Sequence, residues 1–171
     1  MKKLVDNKVS LSKFSPPMSE HWLQRKRLFS RFDAFSESTS IWISGQAGYG
    51  KTVLAASYLR SKGISVLWLR LDKRDMEPST FFYNLRDAAI QLGFVEENEL
   101  PLLTAEYTGG EDVYARNFVE MLFNKASKGL VLVFDDFQYI TAVVCVRYKS
   151  QSPMCQRQWI LLIGLYLRIN D

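Results

Sequence analysis

The chain has 171 residues, of which 47% are hydrophobic and 23% charged, the proportions of a globular protein with enough apolar side chain for one core. One histidine (His21) and two cysteines ten apart (Cys145, Cys155) argue against a zinc site and a redox CxxC pair, and the net charge of +4 comes with no aromatic-interleaved basic stripe to support DNA binding. Met1 to Lys13 lacks the apolar segment of a signal peptide, and the longest dense apolar run, Trp159 to Leu167, is far short of the ~20 residues that span a bilayer, so a cytoplasmic protein without membrane contact is expected.

In chain order, residues 1–20 read as an irregular lead-in, with Pro16-Pro17 opposing helix. His21 to Phe35 carries Trp22, Leu23, Leu28, Phe29 and Phe32 among Arg25, Lys26, Arg27 and Arg31. This predicts a short amphipathic helix whose basic residues form a solvated face, with a nucleic-acid surface as the alternative. Ile41 to Ser44 predicts a strand that ends at Gly45. Lys51 to Ser61 predicts a helix, with apolar Val53, Leu54, Ala55, Ala56 and Leu59, that stops at Gly63. Ile64 to Leu71 predicts a second, buried strand. Pro78 opens a helix with Phe81, Phe82, Leu85, Ala88, Ala89 and Leu92 on one face, ended by Gly93. After a loop containing Gly109-Gly110, Glu111 to Ala126 predicts another helix, with Tyr114, Phe118, Met121 and Leu122 at helical spacing. Leu130 to Phe134 is a continuous apolar run, the pattern of a strand covered on both faces. Strands alternating with helices predict an α/β fold with a parallel sheet.

Residues 45–52, Gly45-Gln46-Ala47-Gly48-Tyr49-Gly50-Lys51-Thr52, match G-x-x-x-x-G-K-[ST] between a predicted strand and a predicted helix. Glycines let the backbone turn its N–H groups around a phosphate, and the helix starting at Lys51 directs its positive end toward the anion. Lys51 is placed to reach the β- and γ-phosphates, and the Thr52 hydroxyl to ligate magnesium. Asp135 and Asp136 directly follow the last apolar run. At the tip of a buried strand, Asp135 would serve Mg2+, and Asp136 would orient the attacking water. The plainer alternatives are a glycine turn with an incidental lysine and two acids that merely begin a loop. Asp72 and Asp75, after the second strand, read as a solvated loop, with a position facing the phosphate site as the alternative. Arg70, Arg74, Arg116 and Arg147 are all open as an arginine finger.

Four stretches resemble the N-terminal ATPase module of the large LuxR-type (MalT-like) transcriptional regulators, signal-transducing ATPases of the STAND class. They are Leu11 to Pro17 with Gln24 to Leu28; Ile43 to Thr52; Leu67 to Asp72 with Asp75 and Phe82; and Leu130 to Ile140. The resemblance covers about residues 8–140. It implies a P-loop NTPase that binds ATP and Mg2+, self-associates with ATP and an inducer, and resets by hydrolysis. DNA is read in that family by a separate C-terminal helix-turn-helix, and no such element is read in this chain. The family's sheet has about five strands, of which three are legible here. Val143 to Val146 follows Asp136 too closely for a parallel crossover, which needs a dozen or more residues. The expected organisation is therefore a lead-in and amphipathic helix over 1–40, a P-loop NTPase core over 41–140, and a divergent tail over 141–171 that truncates the module. A stand-alone small P-loop ATPase or kinase and a non-catalytic interaction fragment are the alternatives. The kinase reading lacks an arginine-rich lid and an acceptor site.

Overall fold

The computed structural model describes residues 11–18, 24–34, 40–107, 109–126 and 130–137, and the backbone of 159–165. In chain order the elements are helix α1 (Leu11–Phe14), helix α2 (Lys26–Ala34), strand β1 (Ser40–Gly45), helix α3 (Lys51–Ser61), strand β2 (Val66–Arg70), helix α4 (Pro78–Gln91), helix α5 (Glu111–Lys125), strand β3 (Val131–Asp135) and strand β4 (Trp159–Leu165). The strands form one parallel sheet in the order β1-β4-β3-β2. This is the α/β arrangement that the alternating pattern predicts.

Strand alternation assigns each residue of β2 and β3 to a face. Leu67, Leu69, Leu130, Leu132 and Phe134 join the core beneath α4 and α5, whereas Trp68, Val131 and Val133 join the core beneath α3. Every residue of β3 is buried, as its unbroken apolar run predicts for a strand with neighbours on both sides. On the α4–α5 face, the Phe82 ring lies 5.1, 5.0 and 5.2 Å from the rings of Phe81, Tyr114 and Phe118. Such contacts contribute about 0.5–1.5 kcal/mol each beyond the area they bury. On the α3 face, Phe29 and Phe32 of α2 meet the Tyr58 ring at 5.4 and 4.9 Å. Tyr58 donates its hydroxyl to Asp33 at 3.0 Å, and burial together with that acceptor pushes the phenol up to about 12. These contacts fix α2 on α3 and bring the start of α2 to the loop that precedes α3.

Several expectations change. A fourth strand, β4, pairs with both β1 and β3, so the count of three strands falls short. Residues 136–158 exceed the dozen that a parallel crossover requires, a condition that Val143 to Val146 did not meet. That run, His21, Cys145, Cys155 and Arg147 lie outside the described residues. The lead-in is not irregular throughout: Phe14 of α1 is buried in the α4–α5 core. Leu92 and Met121 are each 38% exposed, at the margins of their predicted faces. Tyr58, placed on no face by the sequence, is buried. Asp75 is fully buried rather than solvated. It accepts from Lys13 Nζ, Asn84 Nδ2 and the Asp72 N–H, all at 2.7 Å. Such saturation is what allows a carboxylate to leave water.

Candidate functional site at the β1–α3 loop

Residues 45–52 connect β1 to α3 at the carboxyl end of the sheet. Gly48 and Gly50 have φ of 80° and 72°, left-handed values that most side chains resist. The residue capping α3 is Gly50, which has no side chain to bond the helix, so the first N–H groups of α3 can donate to an external partner. Gln46, Ala47 and Tyr49 are exposed along the loop. Lys51 folds back over it, and its ammonium donates to the carbonyls of Gly45 and Gln46 at 2.9 Å each. An anion cradled by the loop would meet the same ammonium. Arg25, just ahead of α2, donates to the Tyr49 carbonyl at 3.4 Å, while Lys26, Arg27 and Arg31 are exposed as expected.

Asp135 ends β3 on the α3 face, because it shares parity with Val131 and Val133. Thr52 Oγ1 donates to its Oδ1 at 3.0 Å, and the Asp136 N–H donates to the same oxygen at 3.1 Å. Oδ2 lies 3.9 Å from Nε of Arg70. Asp135 is only 2% exposed. Burial, reinforced by the neighbouring Asp136, raises its carboxyl above the usual range, and the Thr52 bond and Arg70 oppose that shift only in part. A carboxylate short of compensating charge beside a hydroxyl is a donor set that a hard divalent cation fits. Mg2+ needs one or two protein oxygens and takes its other ligands from water and phosphate. Among the described residues no cluster of three or more His, Cys, Asp or Glu forms a ready-made metal cage. Asp136 is the one described non-glycine residue with positive φ, at 59°. Left-handed backbone at a non-glycine residue stores strain, and such conformations concentrate at functional sites.

The structure thus brings together Gly45 to Thr52, Asp135 and Asp136. Of the arginines left open, Arg70 stands beside Asp135. Arg74 is committed to Asp72 through Nε at 3.2 Å and Nη2 at 2.8 Å, and Arg116 is exposed on α5. Sequence reading missed the Asp75 clasp and the Arg70–Asp135 approach. For the second, a signal was present: Arg70 shares the parity of the buried Trp68, so it had to emerge on the α3 face.

Residues 18–144 match the family described as Nephrocystin 3, N-terminal. The HTH-type transcriptional regulator MalT of Cronobacter sakazakii is 31% identical over 133 residues, which cover 76% of this chain and 14% of that relative. The chain therefore spans about one seventh of the length of the curated relative it matches. Among the described residues no helix is long and apolar enough to cross a membrane. With the family match extending over most of its length, the chain belongs to the nephrocystin 3 N-terminal family.

Proposed function

We propose that this chain is the nucleotide switch of a MalT-like transcriptional regulator, binding ATP with Mg2+ in a P-loop at residues 45–52 and hydrolysing it slowly. The observation that carries the reading is the 3.0 Å bond between Thr52 and Asp135. It joins the hydroxyl of the G-x-x-x-x-G-K-[ST] pattern to a buried strand-end acid 83 residues away, the two oxygens such a site needs for its metal. Similarity to the regulator MalT supports the regulatory setting.

In this reading the N–H groups of Gly48 to Thr52 surround the β-phosphate. Lys51 exchanges its two carbonyl acceptors for phosphate oxygens, strengthening its bonds because the new acceptors are charged. Thr52 and Asp135 would hold Mg2+, which would neutralise charge on the phosphate oxygens. Asp136 orients a water molecule for attack on the terminal phosphorus. The P–O bond to ADP breaks, and the water's proton passes to the carboxylate or to released phosphate.

Equilibrium binding of a fluorescent ATP analogue with Mg2+, to the chain and to Lys51→Ala, tests the reading. Micromolar binding lost in the variant is expected. Equal binding by both proteins, or none by the parent chain, refutes it.

A further inference from the structure

Arg70 is the last residue of β2 and pairs in register with Asp135, the last residue of β3. Both side chains emerge on the α3 face by strand parity. The guanidinium is 45% exposed, and its one ion-pair partner among the described residues is Asp135, 3.9 Å away. That separation is too long for a hydrogen bond, so charge alone holds the half-exposed guanidinium to the buried carboxylate. Other arginines are held more firmly: Arg74 forks onto Asp72, and Arg86 donates to the carbonyls of Leu100 and Glu97. Arg70 is thus a loosely held cation next to a buried carboxylate whose charge is otherwise poorly offset.

We propose that Arg70 senses the terminal phosphate of a nucleoside triphosphate bound at the β1–α3 loop. In the nucleotide-free chain its guanidinium stands in for the metal by offsetting Asp135. Once Asp135 is committed to Mg2+, that role ends, and two cations facing one carboxylate repel each other. Arg70 then turns its fork to the terminal phosphate, whose oxygens accept two parallel N–H bonds as a planar guanidinium offers them. A diphosphate leaves Arg70 without that acceptor, so triphosphate and diphosphate states differ in the position of one side chain at the edge of the sheet. The inference rests on the nucleotide reading above.

The test measures equilibrium binding of fluorescent ATP and ADP analogues to the parent chain and Arg70→Gln, with and without Mg2+. Loss of a charge-assisted phosphate contact should weaken Mg-ATP by about tenfold or more, while Mg-ADP changes by less than about twofold. Without Mg2+ the difference between the two proteins for ATP should shrink, because Asp135 then retains the guanidinium. Equal weakening for ATP and ADP, or unchanged ATP affinity, overturns the role of Arg70 while leaving the nucleotide site standing. No binding of either nucleotide by the parent chain overturns the site reading and this inference together. If Arg70→Gln fails to fold, Arg70→Met, which keeps the aliphatic stem, is judged by the same ATP-to-ADP comparison.

Discussion

Two carboxylates leave water at the carboxyl end of this sheet, and their surroundings differ. Asp75, fully buried, accepts three bonds of 2.7 Å, one of them from the Lys13 ammonium. Asp135, 2% exposed, accepts from a neutral hydroxyl and one backbone N–H, with its nearest cation 3.9 Å away. Asp75 is a finished structural clasp that ties the N-terminal α1 to the turn after β2 and to α4. Asp135 is left with an unmet demand for positive charge. The difference is one of compensation: a buried charge that is poorly offset costs stability, which a proton or a bound cation can relieve.

The clasp offers the largest break. Asp75→Ala leaves the Lys13 ammonium buried with only Asp72, at 3.1 Å, to offset it. It should destabilise the fold by about 3–5 kcal/mol, read as a lower urea midpoint. A loss below about 1 kcal/mol would show that Asp75 is not the anchor described. Next, Lys51→Ala should cost nucleotide affinity roughly a hundredfold, the weight of charge-assisted phosphate bonds, with little change in the urea midpoint. Loss of fold instead would mean that its bonds to Gly45 and Gln46 hold the loop in shape.

Asp135→Asn sharpens the contrast. Removal of a poorly offset buried charge should leave stability within about 1 kcal/mol of the parent or raise it, while the Mg2+ dependence of ATP binding disappears. A destabilisation as large as that of Asp75→Ala would erase the distinction between the two acids. The smallest effect is in the pH profile. Arg74, through its guanidinium and N–H, and Lys13 hold the Asp72 carboxyl well below its ordinary 3.8. Its contribution is therefore present above pH 3.8 and fades as pH falls through the lower folded value. The raised carboxyl of Asp135 has the opposite sign. Stability falls as pH rises from 3.8 through its folded value, because the folded chain then gives up a proton it held more tightly than the unfolded one. Urea midpoints between pH 3 and 6 should decline less on acidification in Asp72→Asn than in the parent. In Asp135→Asn the decline should be steeper.

Some of this was legible in residue order. The helices of residues 51–61, 78–91 and 111–125 follow their apolar spacing and their glycine and proline boundaries closely, because those signals act within one or two turns. β3 was legible because an unbroken run such as Leu130 to Phe134 has no polar face to expose. The buried Asp75 was not, since its partner Lys13 lies 62 positions earlier and a turn acid usually meets water. For β4 the sequence offered only an apolar segment, Trp159 to Leu167, open to strand or helix, since nothing within it distinguishes a central strand.

That the loop at 45–52 turns on left-handed glycines and runs into a helix, and that β3 ends in an acid, could be read from the chain alone, because these are properties of neighbours in sequence. Which groups stand beside those acids is a matter of packing. The approach of Arg70, the bond from Thr52, the contact of Arg25 with the loop and the place of β4 between β1 and β3 depend on strand register and on which helix covers which face. Those choices are made by the burial of side chains far apart in sequence, and short segments carry no record of them.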